Sequence, residues 1–214
     1  MRIFDLIVIG AGSGLDVASG AAEAGLKVAI IEEGPLGGTC LNRGCIPSKM
    51  IIKSGEVARL IKNAQQFGLQ AALQPIDLRK ITNRANSLVD DDAKQIERGV
   101  RGTKNQTLFK GKGAFVAPYT LEINGETISA KKIVIAAGAR PIIPEIKGLK
   151  NVPFLTSTEA LRLTTLPKSM IIIGGGYIAA ELGNFFANVG TKITILQRNK
   201  LLIPREDADV ATFN

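Results

Sequence analysis

The sequence predicts an α/β fold, with a parallel sheet and a β-meander in its first part and the opening of a second, unfinished α/β unit at its end. One observation carries most of this. An apolar, β-branched run, a glycine cluster, an alanine-bearing helical stretch and a second apolar run occur near the N-terminus and occur again from Ser169. That order is the strand–helix–strand pattern of parallel sheets, and its repetition implies two such units. Composition agrees: the 214 residues hold 23 glycines, 5% aromatics and no tryptophan, which suits tight βα turns better than a sandwich. With 45% apolar residues a buried core is readily built.

Residues 3–9 form the first apolar run and end at Gly10, Asp16–Ala24 reads as a helix, and Lys27–Ile31 follows Gly25 as a second strand. A glycine-rich stretch, Gly34–Gly44, leads into a helix expected from about Ser48 to Phe67, and a second, polar-faced helix is expected across Ile81–Val100. Residues 107–136 change to short alternating runs with Asn124-Gly125 between TLEI and ETISA. Asn-Gly is a strong hairpin signal, so a meander is expected, with Lys132–Ala137 as a buried final strand. Pro141, Pro144 and Pro153 mark 141–153 as a linker. The expected division is therefore 1–148 for the first domain and 149–214 for a partial second one. Only a short tail follows the second unit's last strand, whereas a doubly wound sheet needs several further strands.

The formal charge is +8, but the lysines and arginines are scattered without a run of five, which speaks against nucleic acid as partner and suits anionic dinucleotides. No window approaches the roughly 20 apolar residues of a membrane span, and no charged leader precedes a cleavable apolar stretch, so a cytoplasmic protein without membrane contact is expected. Two cysteines and no histidine leave a metal site short of ligands; none is expected.

Gly10-Ala11-Gly12-Ser13-Gly14 gives a tight turn out of a strand and lets backbone approach a pyrophosphate at a helix N-terminus, with Glu32 where a ribose-binding acid belongs. Leu15 stands where the consensus has its third glycine, so helix and strand are expected to pack differently; a glycine-rich turn without ligand is the alternative. The second turn, Gly174-Gly175-Gly176-Tyr177-Ile178-Ala179, repeats the pattern, but its second strand ends in Gln197-Arg198 rather than an acid. An arginine there favours the 2′-phosphate of NADP over NAD, unless it is a solvated surface residue. Cys40 and Cys45 are separated by four residues at the start of a helix, with Arg43 and Lys49 nearby. Such a pair can cycle between dithiol and disulfide, since exchange needs one attacking and one leaving sulfur. A pair of buried thiols is the other reading.

The stretch Gly37-Gly38-Thr39-Cys40-Leu41-Asn42-Arg43-Gly44-Cys45-Ile46-Pro47-Ser48-Lys49 closely resembles the redox signature of the pyridine nucleotide–disulfide oxidoreductases, the family of dihydrolipoamide dehydrogenase, glutathione reductase, mercuric reductase and mycothione reductase. The resemblance runs the length of the chain and includes Ala136-Ala137-Gly138-Ala139-Arg140-Pro141 and the second glycine turn. It implies an FAD-binding Rossmann-like domain followed by an incomplete Rossmann-like domain for NAD or NADP. By that resemblance Glu32, with Glu33 beside it, holds the adenosine ribose. Gly10, Gly12, Ser13, Gly14, Gly38 and Thr39 meet the pyrophosphate, Gly113 and Ala114 lie near the adenine, and Ala137, Gly138 and Arg140 belong to a further FAD segment. Cys45 is implied as the thiolate facing the flavin and Cys40 as the interchange thiol. Lys49 pairs with Glu181 between helices of different domains and places positive charge where reduced flavin becomes negative. Gly174, Gly176, Tyr177, Ile178, Glu181, Gln197 and Arg198 would meet the nicotinamide dinucleotide.

Family members are longer, act as homodimers, and use a His–Glu pair on the interchange thiol. This sequence has no histidine, and general acid–base catalysis is worth about 10²–10⁴-fold. The chain is therefore expected to be truncated and inactive alone, with a separate C-terminal polypeptide as one source of the missing base. A short flavin-binding module without disulfide turnover is the reading from a different class. Within the enzyme reading, CLNRGCIPSK resembles the dihydrolipoamide dehydrogenase and mycothione reductase side, other cues point to NADPH-dependent members, and the substrate is a lipoyl or small-molecule disulfide or dithiol.

Overall fold

A computed structural model describes residues 1–212. The described residues divide into two compact units, one made of 1–42 and 88–146, the other of 43–87 and the described residues from 147 onward.

The first unit is built on β1 (Arg2–Ile9), α1 (Gly14–Glu23), β2 (Val28–Glu32), α2 (Gly38–Arg43), then, after α3 (Cys45–Lys62) and α4 (Leu78–Gly102), β3 (Gln106–Lys110), β4 (Ala114–Ala117), β5 (Thr120–Ile123) and β6 (Glu126–Ile135). Its six-stranded sheet has the order β3-β2-β1-β6-β5-β4, parallel from β3 through β6 and antiparallel from β6 to β4. Alternation along β1 and β2 sends residues to opposite faces. Leu6, Val8, Val28 and Ile30 meet Ala18 and Ala22 of α1 and Val100 of α4. Ile7, Ala29 and Ile31 join Phe4, Phe109, Leu121 and Ile128 in a cluster made of strand residues alone.

Residues 107–136 are not all meander: β3 pairs in parallel with β2, and only β4 to β6 run antiparallel. The hairpin forms where expected, with Asn124 at φ 53° and Gly125 at φ 80° between β5 and β6, the left-handed pair that a two-residue turn needs. The expectation of a buried strand at Lys132–Ala137 is corrected. β6 begins at the hairpin and its last residues pair only with β1, because β5 stops opposite Ser129. Ile135 is 69% exposed.

In the second unit α3 ends at Lys62 rather than at Phe67; Ala64–Phe67 is a separate 3₁₀ turn closed by Gly68 at φ 73°. The unit continues with α5 (Ser157–Ala160), β7 (Ser169–Ile173), α6 (Tyr177–Asn188), β8 (Lys192–Leu196) and α7 (Ala208–Thr212). β7 and β8 form a two-stranded parallel sheet. Its core gathers Ile51 of α3, Leu78 and Ala85 of α4, Leu161, and Leu182, Phe185 and Phe186 of α6. Gly55 lets α3 approach α6: a Cβ there would lie 3.1 Å from the Phe185 ring. Among the described residues no helix is long and apolar enough to cross a membrane.

Candidate functional site

The first glycine turn is fixed by backbone contacts that exclude side chains. Gly10 has φ 102°, and a Cβ on it would stand 2.2 Å from the carbonyl oxygen of Ala136. Its N–H donates to Ile31 O at 2.8 Å, while Ala136 N–H donates to Ile9 O at 2.7 Å. The turn is thus clamped between the ends of β2 and β6. Gly14 takes over the close-packing role of the absent third glycine: a Cβ there would fall 2.7 Å from Val8 Cγ1 and 3.1 Å from Ala136 Cβ. Leu15, one residue on, packs half-buried against the α1 face of the core. Helix and strand therefore approach closely after all, one position earlier than the consensus.

Glu32, the last residue of β2, accepts the Ala11 N–H at 2.8 Å through Oε2 and the Gly34 N–H at 2.7 Å through Oε1. Its carboxylate ties the strand end to the turn. Glu33 pairs with Arg140 (Nη2–Oε1, 2.9 Å), and Lys110 donates to Gly34 O, so the ends of β2, β3 and β6 carry a ring of charged groups. Gly113 lies against Ile31 and Leu121, where a Cβ would be 3.2 and 3.3 Å from their methyls; Ala114 opens β4, exposed. Ala137 and Gly138 are exposed, Gly138 at φ 71° with nothing within 4 Å of a Cβ.

The cysteine segment leaves this turn through two left-handed glycines, Gly37 at φ 98° and Gly38 at φ 70°. Gly37 N–H donates to Ala11 O at 2.8 Å, and a Cβ on Gly38 would fall 2.7 Å from Gly12 Cα. Thr39 and Cys40 follow, exposed, on α2. Asn42, which no sequence signal singles out within the motif, donates from Nδ2 to Leu36 O and Gly38 O, both at 2.9 Å.

In the second unit Cys45 is the exposed first residue of α3, and Ser48 Oγ donates to its carbonyl at 3.1 Å. One turn further, Lys49 Nζ meets Glu181 Oε1 of α6 at 2.5 Å. Expected from different domains, the two helices lie in one compact unit. Both side chains remain substantially exposed, 60% and 37%, so the pair adds little stability. The second glycine turn repeats the first: Gly174 (φ 103°) donates to Leu196 O at 2.9 Å, and Gly175 N–H donates to Gln197 Oε1 at 3.3 Å. Gln197 Nε2 donates to Leu201 O at 3.2 Å. Tyr177, Ile178 and Arg198 are exposed.

These turns fit anionic dinucleotides. Neither Ser13 at α1 nor Gly176 at α6 makes a side-chain cap bond; at α1 the Leu15 N–H donates to Gly12 O at 3.0 Å, and both helix N-termini keep the positive dipole end that favours a phosphate. A Cβ on Gly174 or Gly176 would meet nothing within 4 Å, leaving room beside the second turn. By contrast α5 carries a complete capping box, Thr156 with Glu159. No cluster of three or more histidine, cysteine or acidic residues that could hold a metal occurs among the described residues. Two carboxyls, neither among the candidate residues, sit below their ordinary range. Asp5 is held there by the Lys131 ammonium and then the Lys27 N–H, and Glu159 by the Thr156 hydroxyl and then its N–H.

Comparison with known proteins agrees with the geometry. Residues 4–213 match the family model for pyridine nucleotide-disulphide oxidoreductases. A mercuric reductase of Staphylococcus aureus is 39% identical over 97% of this chain and 38% of its own length. A dihydrolipoyl dehydrogenase of Geobacillus stearothermophilus is 41% identical over 90% of this chain and 42% of its own. Among solved structures, the HOCl-induced flavoprotein disulfide reductase RclA from Escherichia coli superimposes with a TM-score of 0.83 at 33% identity, covering 97% of this chain and 45% of that one. The chain spans less than half the length of these relatives. With the redox-cysteine segment and both glycine turns inside the matched residues, the chain belongs to the pyridine nucleotide-disulphide oxidoreductase family.

Proposed function

We propose that this chain carries the FAD site and the redox disulfide of a dihydrolipoamide dehydrogenase-like flavoprotein disulfide oxidoreductase. The observation that carries the reading is the GGTCLNRGCIPSK segment, with Cys40 leaving the Gly10–Gly14 turn and Cys45 at the start of α3. In the overall reaction NAD(P)H and a proton with a disulfide become NAD(P)⁺ with a dithiol: the nicotinamide gives up two electrons and the two sulfurs take up two protons. Bound FAD supplies the relay between them.

The chain's own groups bind and orient. The main-chain donors of the first turn would hold the pyrophosphate, Glu32, whose carboxylate also holds the Ala11 and Gly34 N–H groups, would meet the ribose, and Lys49, paired with Glu181, would supply positive charge to the flavin. Cys45 is the flavin-side thiol and Cys40 the interchange thiol that opens the substrate disulfide. The second turn takes the nicotinamide dinucleotide, and a neutral Gln197 followed by Arg198 supports NADP over NAD. No histidine in these residues can manage the protons of Cys40, so that base comes from outside them, and the enzyme works in the cytoplasm. A mercuric-reductase-type member is the second reading, supported by the 39% identity to the Staphylococcus aureus protein.

The visible spectrum of the purified chain tests the proposal. Yellow protein that gains long-wavelength absorbance on two-electron reduction, and fails to do so as Cys45→Ser, is the expected result. Colourless protein under every condition of FAD loading would overturn it.

A further inference from the structure

Two consecutive glycines in left-handed conformation, Gly37 and Gly38, lead to Cys40, and glycine loses more freedom on folding than any other residue. Two sets of contacts restrain the pair. On one side are the Gly37 N–H to Ala11 O bond and the close approach of Gly38 to Gly12. On the other is one side chain, Asn42. Its Nδ2 donates to Leu36 O at 2.9 Å, to Gly38 O at 2.9 Å and to Pro35 O at 3.3 Å.

The amide orientation is dictated by this set. Three carbonyl oxygens converge on one nitrogen, so turning the amide over would set its oxygen against all three. The opposite end of the same group is unsatisfied: among the described residues Asn42 Oδ1 is buried without a hydrogen-bond partner. A buried acceptor left unpaired opposes folding and offsets part of what the three donor contacts contribute. What no apolar side chain can reproduce is the donor end, which fastens the Gly37–Gly38 kink to the helix that bears Cys40.

We propose that Asn42 is a positioning residue of the redox segment: its amide restrains the Gly37–Gly38 kink and so favours closure of the Cys40–Cys45 ring. The inference rests on the disulfide reading of the two cysteines. Without the clamp, ring closure must also immobilise the glycines, and the effective concentration of one thiol toward the other falls.

The experiment equilibrates the purified chain with mixtures of oxidised and reduced dithiothreitol, then alkylates it and reads the intact mass. The Cys40–Cys45 bond forms as the cyclic disulfide of the reagent opens, with the two cysteine protons passing to its sulfurs, so atoms and electrons balance. In Asn42→Asp, which keeps the shape and removes the donors, and in Asn42→Leu, the closure constant should fall about tenfold, equivalent to about 30 mV. Asn42→Gln, which restores an amide donor, should recover part of it. Asn124→Asp removes a different donor in the same unit, the 2.8 Å bond to Lys110 O, and should leave the constant unchanged. If wild type forms no disulfide, the disulfide reading falls and the inference falls with it. If wild type closes and the Asn42 variants close equally well, the inference alone is overturned. It is overturned as well if Asn124→Asp shifts the constant as much, or if the Asn42 variants lose their far-UV circular dichroism, since the role would then be general stability.

Discussion

At the first turn the Ala11 N–H reaches a carboxylate, Glu32, at 2.8 Å; at the second the Gly175 N–H reaches an amide oxygen, Gln197, at 3.3 Å. The register makes these positions equivalent, since Ile9 pairs with Ile31 and Ile173 with Leu196. One backbone plan thus appears twice, with the turn N–H donating to the side chain that ends the second strand. The settings differ. β1 and β2 lie inside a six-stranded sheet with both faces built into cores, whereas β7 and β8 stand as a pair with Ile171, Ile173 and Leu196 exposed. The comparison teaches that turn geometry is local, and that charge and packing around it are what distinguish one turn from the other.

The sharpest way to break the comparison is at the first glycine. Gly10→Ala must place its methyl 2.2 Å from Ala136 O, whereas Gly174→Ala meets nothing within 4 Å and bears only the strain of φ 103°. The first should lower stability by about 3 kcal/mol or more and the second by about 1–2 kcal/mol, measured by denaturant unfolding. Equal losses would show that the two turns are held alike.

Exchanging the strand-end residues comes next. Glu32→Gln turns two charge-assisted hydrogen bonds into an amide that cannot accept at both ends, and should cost about 1–2 kcal/mol. Gln197→Glu introduces the ribose-binding acid and should shift the ratio of NAD to NADP affinity at least tenfold toward NAD, about 1.4 kcal/mol, read by titration calorimetry. An unchanged ratio would separate Gln197 from cofactor choice.

Smaller still is the Lys49–Glu181 pair. Because both partners are substantially exposed, Glu181→Gln should alter unfolding by less than about 0.5 kcal/mol, and a larger loss would mean that the pair holds α3 and α6 together. The smallest effect is expected where the strands begin. Asp5 occupies the register position of Ser169, and its carboxyl lies below the ordinary 3.8. A depressed folded-state pKa gives stability that is present above the unfolded value and lost as pH falls through the folded one. Asp5→Ser should therefore lower stability slightly at neutral pH, flatten the fall below about pH 4 and converge with the wild type in stronger acid, as acid titration of unfolding would show.

Both strand–turn–helix–strand units, the Asn124–Gly125 hairpin and the cysteine segment were legible because each is written in a short run of residues, as glycine where φ is positive or apolar residues at fixed period. The fate of Lys132–Ala137 was not legible. Its apolar sequence promised burial, but exposure depends on where β5 ends, and no residue in the run encodes that. The Lys49–Glu181 contact was anticipated from motif placement; the three-carbonyl clamp of Asn42 had no such cue, since the carbonyls that meet it carry no sequence signature.

The sequence by itself determined the α/β class, the two glycine turns and the cysteine motif, because glycine conformational freedom and hydrophobic period are properties of neighbouring residues. Only the tertiary structure decided that residues 43–87 join the C-terminal part, since Gly55 against Phe185 and Ile51 within the α6 core are contacts across more than a hundred residues. The shift of glycine from position 15 to 14 stands in the sequence; only the tertiary structure decided that Gly14 lies close against Val8 and Ala136, because the distance between a helix and a sheet is set by side chains on both.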